Sequence, residues 1–303
     1  MRKSLRYLVV VLVLALGVTL LNLKQHENTV VLGKNDKNTS ENYEIKALKI
    51  PAGINFAGEH IPIEKPDIRE RLDRELLVNT YWQSNMLLLM KRANKYFPLI
   101  EPILEKNGIP DDFKYLALIE SGLMNVTSPA GAKGFWQIMK ATARENGLEV
   151  NSNVDERYHI EMATEVACKY LIKSKERFGN WTLAAAAYNG GNAGMSRRLD
   201  TQHVDNYYDL LLGEETGRYV FRIAAVKEIM ENPDKYGFLF DKEDLYNLQS
   251  TRMVEVDTAI TNIALFAKDF DTNYKELKIH NPWLRENHLN NKSRKLYYIK
   301  IPE

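Results

Sequence analysis

The stretch PDDFKYLALIESG, residues 110–122, contains the pattern that decides the fold. A proline and two aspartates suit the first turn of a helix, where a missing N–H costs nothing and negative charge favours the dipole. Phe113, Leu116, Ala117 and Glu120 follow at i, i+3, i+4 and i+7, so they lie on one helical face. A glycine then ends the helix. The stretch therefore predicts a helix whose apolar face carries one carboxylic acid.

Glu120 allows two interpretations. A carboxyl group on an apolar face either finds a cationic partner or is desolvated, and desolvation raises its pKa. Cleavage of a glycosidic bond requires such an acid, because the leaving oxygen must be protonated near neutral pH. The alternative is that Glu120 merely ends the helix or pairs with a lysine, and periodicity alone favours this alternative.

An apolar aromatic segment lies downstream at residues 135–139, after a region rich in turn formers. Sugars pack their C–H faces on aromatic rings, and the amide of Gln137 can bind an N-acetyl group. This pattern therefore favours a groove wall beside the acid. Ordinary core packing is the alternative for Trp136 and Met139.

Helical periodicity extends from residue 66 to residue 235. Pro98 and Pro102 are predicted to bracket a helix start, and further helices are predicted at residues 140–146, 159–178, 182–188 and 216–232. Past residue 241, alternating segments at 252–256 and 295–301 flank two helical segments. The predicted fold class is therefore mainly α, with a helical domain at residues 66–240 and a small βααβ domain at residues 250–303.

The N-terminus predicts export. Arg2, Lys3 and Arg6 precede a charge-free apolar run at residues 7–23, which is typical of a signal peptide or an N-terminal membrane anchor at residues 1–24. A helix buried in the folded domain is the alternative. Positive residues before the run place the rest of the chain outside the cytoplasmic membrane. The polar residues 25–65 are predicted to be a linker.

Composition excludes several classes of function. The 303 residues include 41 basic and 40 acidic side chains, so the net charge of +1 gives no sign of a nucleic-acid partner. The single cysteine, Cys168, rules out an internal disulfide and a cysteine-based metal cluster. Its apolar helical surroundings predict a core residue rather than a catalytic thiol.

Four ordered motifs resemble those of the SLT-domain lytic transglycosylases, and among them the membrane-bound transglycosylase D group. The motifs are ESG at 120–122, GAKGFWQIM at 131–139, AAYNGG at 186–191 and ETGRYV at 215–220. One such motif would be a weak signal, whereas four in order are specific. The similarity covers about residues 94–230, roughly the middle half of the chain.

The resemblance implies a lysozyme-like helical fold and cleavage of the β-1,4 bond between N-acetylmuramic acid and N-acetylglucosamine in peptidoglycan. It implies that Glu120 protonates the leaving oxygen and then, as a carboxylate, deprotonates the muramic C6 hydroxyl, which closes a 1,6-anhydro ring. Neither water, a second carboxylate, a metal nor a cofactor is then needed. The sequence contains no Asp or Glu between Glu120 and Glu145.

The family motifs also imply substrate-binding residues by position. Ser128 is expected to hydrogen-bond near the scissile sugar, and Tyr188 to lie close to Glu120. The full set is Ser128, Gln137, Met139, Tyr188, Asn189, Glu215 and Tyr219. A plain helix stop is the alternative for Asn189, and a core position is the alternative for Tyr219.

The C-terminal module resembles a degenerate LysM domain, through residues 257–264, 274–277, 281–284 and 298–302. LysM domains bind glycans that contain N-acetylglucosamine. Val256 occupies the position of the usual glycine, so a purely structural cap is the alternative.

Two other functions stay open. A hydrolytic lysozyme needs a second carboxylate to activate water, and Asp155, Glu156 and Glu161 are conceivable. A non-catalytic wall-binding scaffold is the other. Under the leading hypothesis the partners are peptidoglycan strands and, through the N-terminal segment, the membrane. The location is the periplasmic side of the cytoplasmic membrane, in the cell envelope.

Overall fold

The computed structural model of the protein describes residues 45–303. Within this part of the chain, residues Ala47–Glu303 form one compact unit, which contains ten α-helices and four short β-strands. The signal or anchor predicted at residues 1–24 lies outside the described residues, as does about half of the predicted linker, residues 25–44. None of the helices within residues 45–303 is long and apolar enough to cross a membrane.

Helix α8 lies at the centre of the larger domain, where it packs against α1, α3 and α6. Its buried residues run from Gly217 to Ile229, so little of it reaches solvent. Because α3 contacts α8, the acid-bearing end of α3 meets the first half of this central helix, at Tyr219. The helices of this domain are α1 (Pro66–Tyr81), α2 (Gln83–Lys106), α3 (Phe113–Ser121), α4 (Lys140–Glu145), α5 (Ile160–Phe178), α6 (Trp181–Gly190), α7 (Asn192–Gln202) and α8 (Glu214–Glu231).

The prediction that Pro98 and Pro102 bracket a helix start is wrong, because both lie inside α2. The two prolines are exposed, whereas Phe97, Ile100 and Leu104 on the opposite face are buried. Each proline removes one hydrogen bond, but the carbonyl groups left free face water. Burial of the apolar face therefore outweighs the two missing bonds.

A short hairpin precedes the predicted start of the helical domain at residue 66. Its strands are β1 (Asn55–Phe56) and β2 (Glu59–His60), which pair antiparallel. Phe56 is fully buried, and its ring packs edge-on against Phe113 at 5.1 Å. The Glu59 carboxylate accepts hydrogen bonds from the first backbone N–H groups of α6, at 2.6 and 2.8 Å. Residues 54–61 therefore belong to the core, although the sequence placed them in the linker.

The smaller domain is a βααβ unit, made of β3 (Thr251–Val256), α9 (Ile263–Lys268), α10 (Tyr274–His280) and β4 (Tyr297–Pro302). Strands β3 and β4 pair antiparallel, with Thr251 opposite Pro302. Its apolar core extends into the helical domain through Val154 and Tyr158. The Asn153 side chain donates to the His288 carbonyl and accepts from the Asn290 N–H, both at 2.8 Å. The two domains therefore share a core and hydrogen bonds.

Candidate active site

Glu120 occupies the last turn of α3. The apolar residues that share its helical face, Phe113, Leu116 and Ala117, are completely buried, and Glu120 is half-buried. Gly122 ends the helix in the left-handed region, with φ of 62°. The carboxyl group therefore lies where an apolar helix face meets the surface, as the sequence pattern predicts.

The hydroxyl of Tyr219, on α8, donates a short hydrogen bond to Glu120 Oε1. Burial raises the pKa of Glu120, while the Tyr219 hydrogen bond and the positive charge of Arg222 oppose this increase. Glu215 adds a weaker effect in the same direction as burial. Desolvation has the largest effect, so the acid keeps its proton to a higher pH than an exposed glutamate. The partner of Glu120 is thus a tyrosine and not a lysine.

Arg222 is a site residue that the sequence reasoning missed. It lies one helical turn after Tyr219 on α8, and its Nη2 donates to the Ile119 carbonyl at 3.2 Å. This bond holds the guanidinium beside the last turn of α3, where its charge favours the carboxylate form of Glu120. The i, i+3 spacing from Tyr219 was the available signal.

Tyr188, at the end of α6, is enclosed next to the acid. Its hydroxyl donates to the Trp136 carbonyl at 2.7 Å, and its ring packs edge-on against Tyr170 at 5.4 Å. Burial raises the pKa of Tyr188 well above its ordinary value, and the negative charge of Glu120 adds to this increase. Tyr188 is therefore a neutral hydroxyl whose surroundings include Glu120.

The aromatic segment, residues 135–139, is hydrogen-bonded to the end of α3. Trp136 is fully buried and donates through Nε1 to the Thr164 hydroxyl at 2.8 Å, and Phe135 is 2% exposed. For Trp136 the alternative of core packing is therefore correct, and most of the Phe135 ring is buried in the core as well. Met139 differs from them, since it is 45% exposed. The hydroxyl of Ser121 donates to the Phe135 carbonyl at 2.9 Å, which ties the segment to the helix of Glu120.

Gln137 has a positive φ of 47°, in a turn closed by its own side chain. Its Nε2 donates to the carbonyl groups of Gly134 at 2.7 Å and Val126 at 3.3 Å. Gly134 is required here, because a Cβ at this position would lie 2.0 Å from the Arg157 carbonyl oxygen. With its amide N–H groups engaged by the loop, Gln137 has its side-chain oxygen left to accept a hydrogen bond.

Two other predicted residues have structural partners. Ser128 closes the turn at residues 128–132, where its Oγ accepts from the Ala132 N–H at 3.0 Å. Asn189 joins the end of α6 to the start of α8. Its Nδ2 donates to Glu215 at 3.1 Å, and its Oδ1 accepts from the Thr216 hydroxyl at 2.7 Å.

A cavity of about 250 Å³ brings four of the predicted residues together. Its walls come from the aromatic segment, α5 and the end of α6. Tyr188 lines this cavity, and it lies close enough to Glu120 for the negative charge of the carboxylate to raise its pKa. The cavity is therefore next to the acid. Glu120, Ser128, Glu215 and Tyr219 are not among the lining residues. The predicted residues that line it are Gln137, Met139, Tyr188 and Asn189.

The candidate second carboxylates lie elsewhere. Asp155 is buried and paired with Arg157 at 2.8 Å. Glu156 binds Lys295 at 2.7 Å, across the contact between the two domains. Burial opposes ionisation of Glu161, but hydrogen bonding from His159 and the charge of Lys300 outweigh it and lower its pKa to about 2. All three are therefore used by ion pairs away from Glu120.

Other chemistry finds little support within residues 45–303. Cys168 is buried, and burial raises the pKa of its thiol to about 12, so it is a core residue as expected. No group of three or more His, Cys, Asp or Glu side chains in this part of the chain is arranged to hold a metal ion.

The fold and the site define a mainly α-helical domain built around one desolvated carboxylic acid. Residues 98–209 match the family described as the transglycosylase SLT domain, and residues 252–303 match the soluble lytic transglycosylase C-terminal LysM-like domain. The chain therefore carries an SLT domain followed by a LysM-like domain. These matches confirm the predicted fold class, a lysozyme-like helical domain with a small βααβ domain.

The chain is homologous to membrane-bound lytic murein transglycosylase D of Escherichia coli K12, with 29% identity over 191 residues. The match covers 60% of this chain and 41% of that protein, so the chain spans about two fifths of its relative. The same values hold for the protein of E. coli O6:H1. A solved structure, an inactive mutant of lytic transglycosylase Slt from Pseudomonas aeruginosa, gives a TM-score of 0.37 at 18% identity, covering 50% of this chain and 26% of that one.

Proposed function

We propose that the protein is a peptidoglycan lytic transglycosylase that cleaves the β-1,4 bond between N-acetylmuramic acid and N-acetylglucosamine. The observation that carries this proposal is the state of Glu120: a carboxyl group whose pKa is raised by burial and which a tyrosine hydroxyl holds in place. The SLT domain and the homologous lytic murein transglycosylase support the same activity.

In the first step, Glu120 acts as the acid. Its proton passes to the glycosidic oxygen as the bond from that oxygen to C1 of the muramic sugar breaks, so the N-acetylglucosamine leaves as an alcohol. Tyr219 donates to Oε1, which leaves Oε2 as the oxygen available for the substrate. The carbonyl oxygen of the N-acetyl group on the muramic sugar bonds to C1 as the glycosidic bond breaks, and this bond breaks again when the C6 oxygen attacks C1 in the second step.

In the second step, the same residue acts as the base. The Glu120 carboxylate takes the proton of the muramic C6 hydroxyl, whose oxygen bonds to C1 and closes the 1,6-anhydro ring. Glu120 is then protonated again. The Tyr219 hydrogen bond and the charge of Arg222 favour the carboxylate between the two steps. An intramolecular hydroxyl competes well with water because of its high effective concentration.

The other predicted residues have supporting roles in this proposal. The free side-chain oxygen of Gln137 accepts from an N-acetyl N–H, and exposed Met139 offers an apolar surface to a sugar ring. Tyr188 contributes a neutral hydroxyl beside the acid, and Asn189 and Glu215 fix the position of its helix end. Ser128, whose oxygen accepts from the turn, keeps its proton to donate to the substrate.

The N-terminal sequence and the membrane-bound relative support a proposed location in the cell envelope. We propose that residues 1–24 export the chain or anchor it, so that the catalytic domain works in the envelope on the periplasmic side of the cytoplasmic membrane. The LysM-like domain is proposed to contact the same glycan strands.

The test is digestion of purified peptidoglycan, followed by mass spectrometry of the new chain ends. Anhydro ends are expected from the wild type. Reducing ends would identify a hydrolase instead, and an absence of cleavage would identify a binding scaffold. Glu120→Gln should abolish turnover while strand binding in a pull-down persists. Glu145→Gln, which changes an exposed glutamate of α4, is the matched control and should cleave normally.

A further inference from the structure

A crevice outside the acid site runs along α2 and contains positive charge without matching negative charge. It consists of two adjoining cavities, of about 320 and 270 Å³, which share Lys95, Tyr96, Asn125 and Phe135. We call it the α2 crevice. The first cavity is bounded by residues 123–125 after the helix of Glu120, and the second reaches the LysM-like domain at Trp283.

The cations of the α2 crevice outnumber its carboxylates. Arg92 and Lys95 lie one turn apart on α2, and neither forms an ion pair with any residue in the described part of the chain. Arg92 donates to the Gly122 carbonyl at 3.2 Å, and the ammonium of Lys95 lies 5.3 Å from the centre of the Tyr96 ring. Glu161 is the only acid among the lining residues within residues 45–303, and Lys300 is paired with it.

The remaining surfaces suit a peptide rather than a simple ion. Half-buried Tyr96 contributes an aromatic surface, and its ring packs edge-on at 4.8 Å against the buried ring of Phe135. Asn125 lines both cavities, while Gln249 lines the second, and their amides can pair with peptide groups. One cavity, of about 320 Å³, is at the lower end of the range for ligand sites, and the adjoining one, of about 270 Å³, extends it. Half-buried cations that form no ion pair are expected where an anionic ligand supplies the missing charge.

We propose that the α2 crevice binds the peptide stems of peptidoglycan through their free carboxylates, with Lys95 and Arg92 as the recognising cations. This proposal rests on the proposed function, because it identifies the part of the same substrate that leaves the strand beside the cleavage site. The Arg92–Gly122 bond joins the crevice to the end of α3, two residues after Glu120. Under this proposal, a glycan strand bound at Glu120 places one of its stems in the crevice.

The test measures binding of a free tetrapeptide stem to the full chain by calorimetry, without any catalytic step. Lys95→Gln is expected to weaken binding roughly fivefold and Lys95→Glu more strongly, whereas Lys95→Arg should retain it, since one partly exposed ion pair contributes up to about 1 kcal/mol. The same peptide with its carboxylates amidated should bind the wild type weakly. Lys106→Gln, at the C-terminal end of α2 and paired with Glu165, is the matched control and should bind as the wild type does.

Wild-type affinity in Lys95→Gln and Lys95→Glu would overturn the proposal, as would equal losses in Lys106→Gln or equal binding of the amidated peptide. Arg92→Gln is a secondary variant, because it also removes a hydrogen bond to the end of α3. The ratio of cleavage rates on stem-bearing and stem-free strands should fall in Lys95→Gln. If the stem binds as described but no strand is cleaved, the proposed function fails and the assignment of the crevice stands.

Discussion

Replacing Tyr219 by phenylalanine tests the proton chemistry of Glu120 directly. Tyr219 is 2% exposed, and phenylalanine keeps its ring, so the change removes one hydroxyl and its hydrogen bond to Glu120 Oε1. A hydrogen bond to a charged group contributes about 1.5–3 kcal/mol. The carboxylate forms only after Glu120 has given up its proton to the substrate. Loss of the hydrogen bond therefore destabilises mainly the reaction steps in which Glu120 is a carboxylate. A kcat/KM roughly 10- to 100-fold below the wild-type value is expected.

The pH dependence of Tyr219→Phe has a definite sign. Tyr219 lowers the pKa of Glu120, so removing it raises that pKa further, and the alkaline limb of kcat/KM moves to higher pH. The pH dependence of the free energy of unfolding is set by the same pKa. A carboxyl group with a raised folded-state pKa contributes stability that is complete below its unfolded pKa and is lost as the pH rises through the folded pKa. The variant should therefore lose more free energy of unfolding between acid and neutral pH than the wild type does.

The assay is release of soluble fragments from purified peptidoglycan over a series of pH values, with urea unfolding of the same samples. Tyr115→Phe is the control, because it removes a buried hydroxyl from the helix of Glu120 and its electrostatic neighbours are Glu231 and Asp111. An alkaline limb of Tyr219→Phe that coincides with the wild type would refute the reasoning. A shift of equal size in Tyr115→Phe would do the same.

Three further substitutions test the site and its support. Glu120→Gln should raise the thermal midpoint of unfolding above that of the wild type at neutral pH, and the difference should vanish in acid. The reason is that the substitution removes a carboxyl group whose pKa is raised by burial. Equal midpoints at every pH would contradict the desolvation of Glu120. Gly134→Ala should lower the free energy of unfolding, measured in urea, by more than about 3 kcal/mol, since its Cβ would lie 2.0 Å from the Arg157 carbonyl oxygen. Gly131 also has a positive φ but open space around it, so Gly131→Ala should lower this free energy by only about 1–2 kcal/mol. Asn153→Ala leaves two backbone groups between the domains without partners. We therefore expect the free energy of unfolding to fall by about 2–4 kcal/mol and proteolysis within residues 241–250 to become faster. An unchanged rate of proteolysis would show that the contact contributes little.

Local pattern was enough for much of the helical domain. The face of α3 could be predicted because its apolar spacing is regular and its end is marked by Gly122. Helix α7 could not, since Met195 is its only buried residue and no apolar stripe exists to find. The hairpin at residues 55–60 was missed for a related reason: two strands of two residues each are too short for alternation to register.

The site shows a sharper division between local and long-range information. Glu120 could be singled out from its helical face, and the family motifs led to Tyr188 and Tyr219. Trp136 was misplaced because an aromatic ring that lines a groove and one that fills a core have the same sequence pattern. Only tertiary structure decides between them, here through the hydrogen bond from Trp136 Nε1 to Thr164. Arg222 was missed because its contact with the end of α3 joins distant parts of the chain.

The opposing influences on Glu120 follow from the two tasks proposed for it. An acid catalyst needs a raised pKa, which burial at the end of α3 supplies. A base that acts in the next step needs a carboxylate that persists without water around it, and Tyr219 and Arg222 favour that form. Burial alone would raise the pKa of Glu120 so far that the carboxylate would not persist. Tyr219 and Arg222 alone would lower this pKa, so that the acid would lose its proton before substrate binds. Because Tyr219 and Glu120 are 99 residues apart, the balance depends on how closely α3 packs on α8. Substitutions that loosen this contact should therefore alter the pH profile before they reduce strand binding.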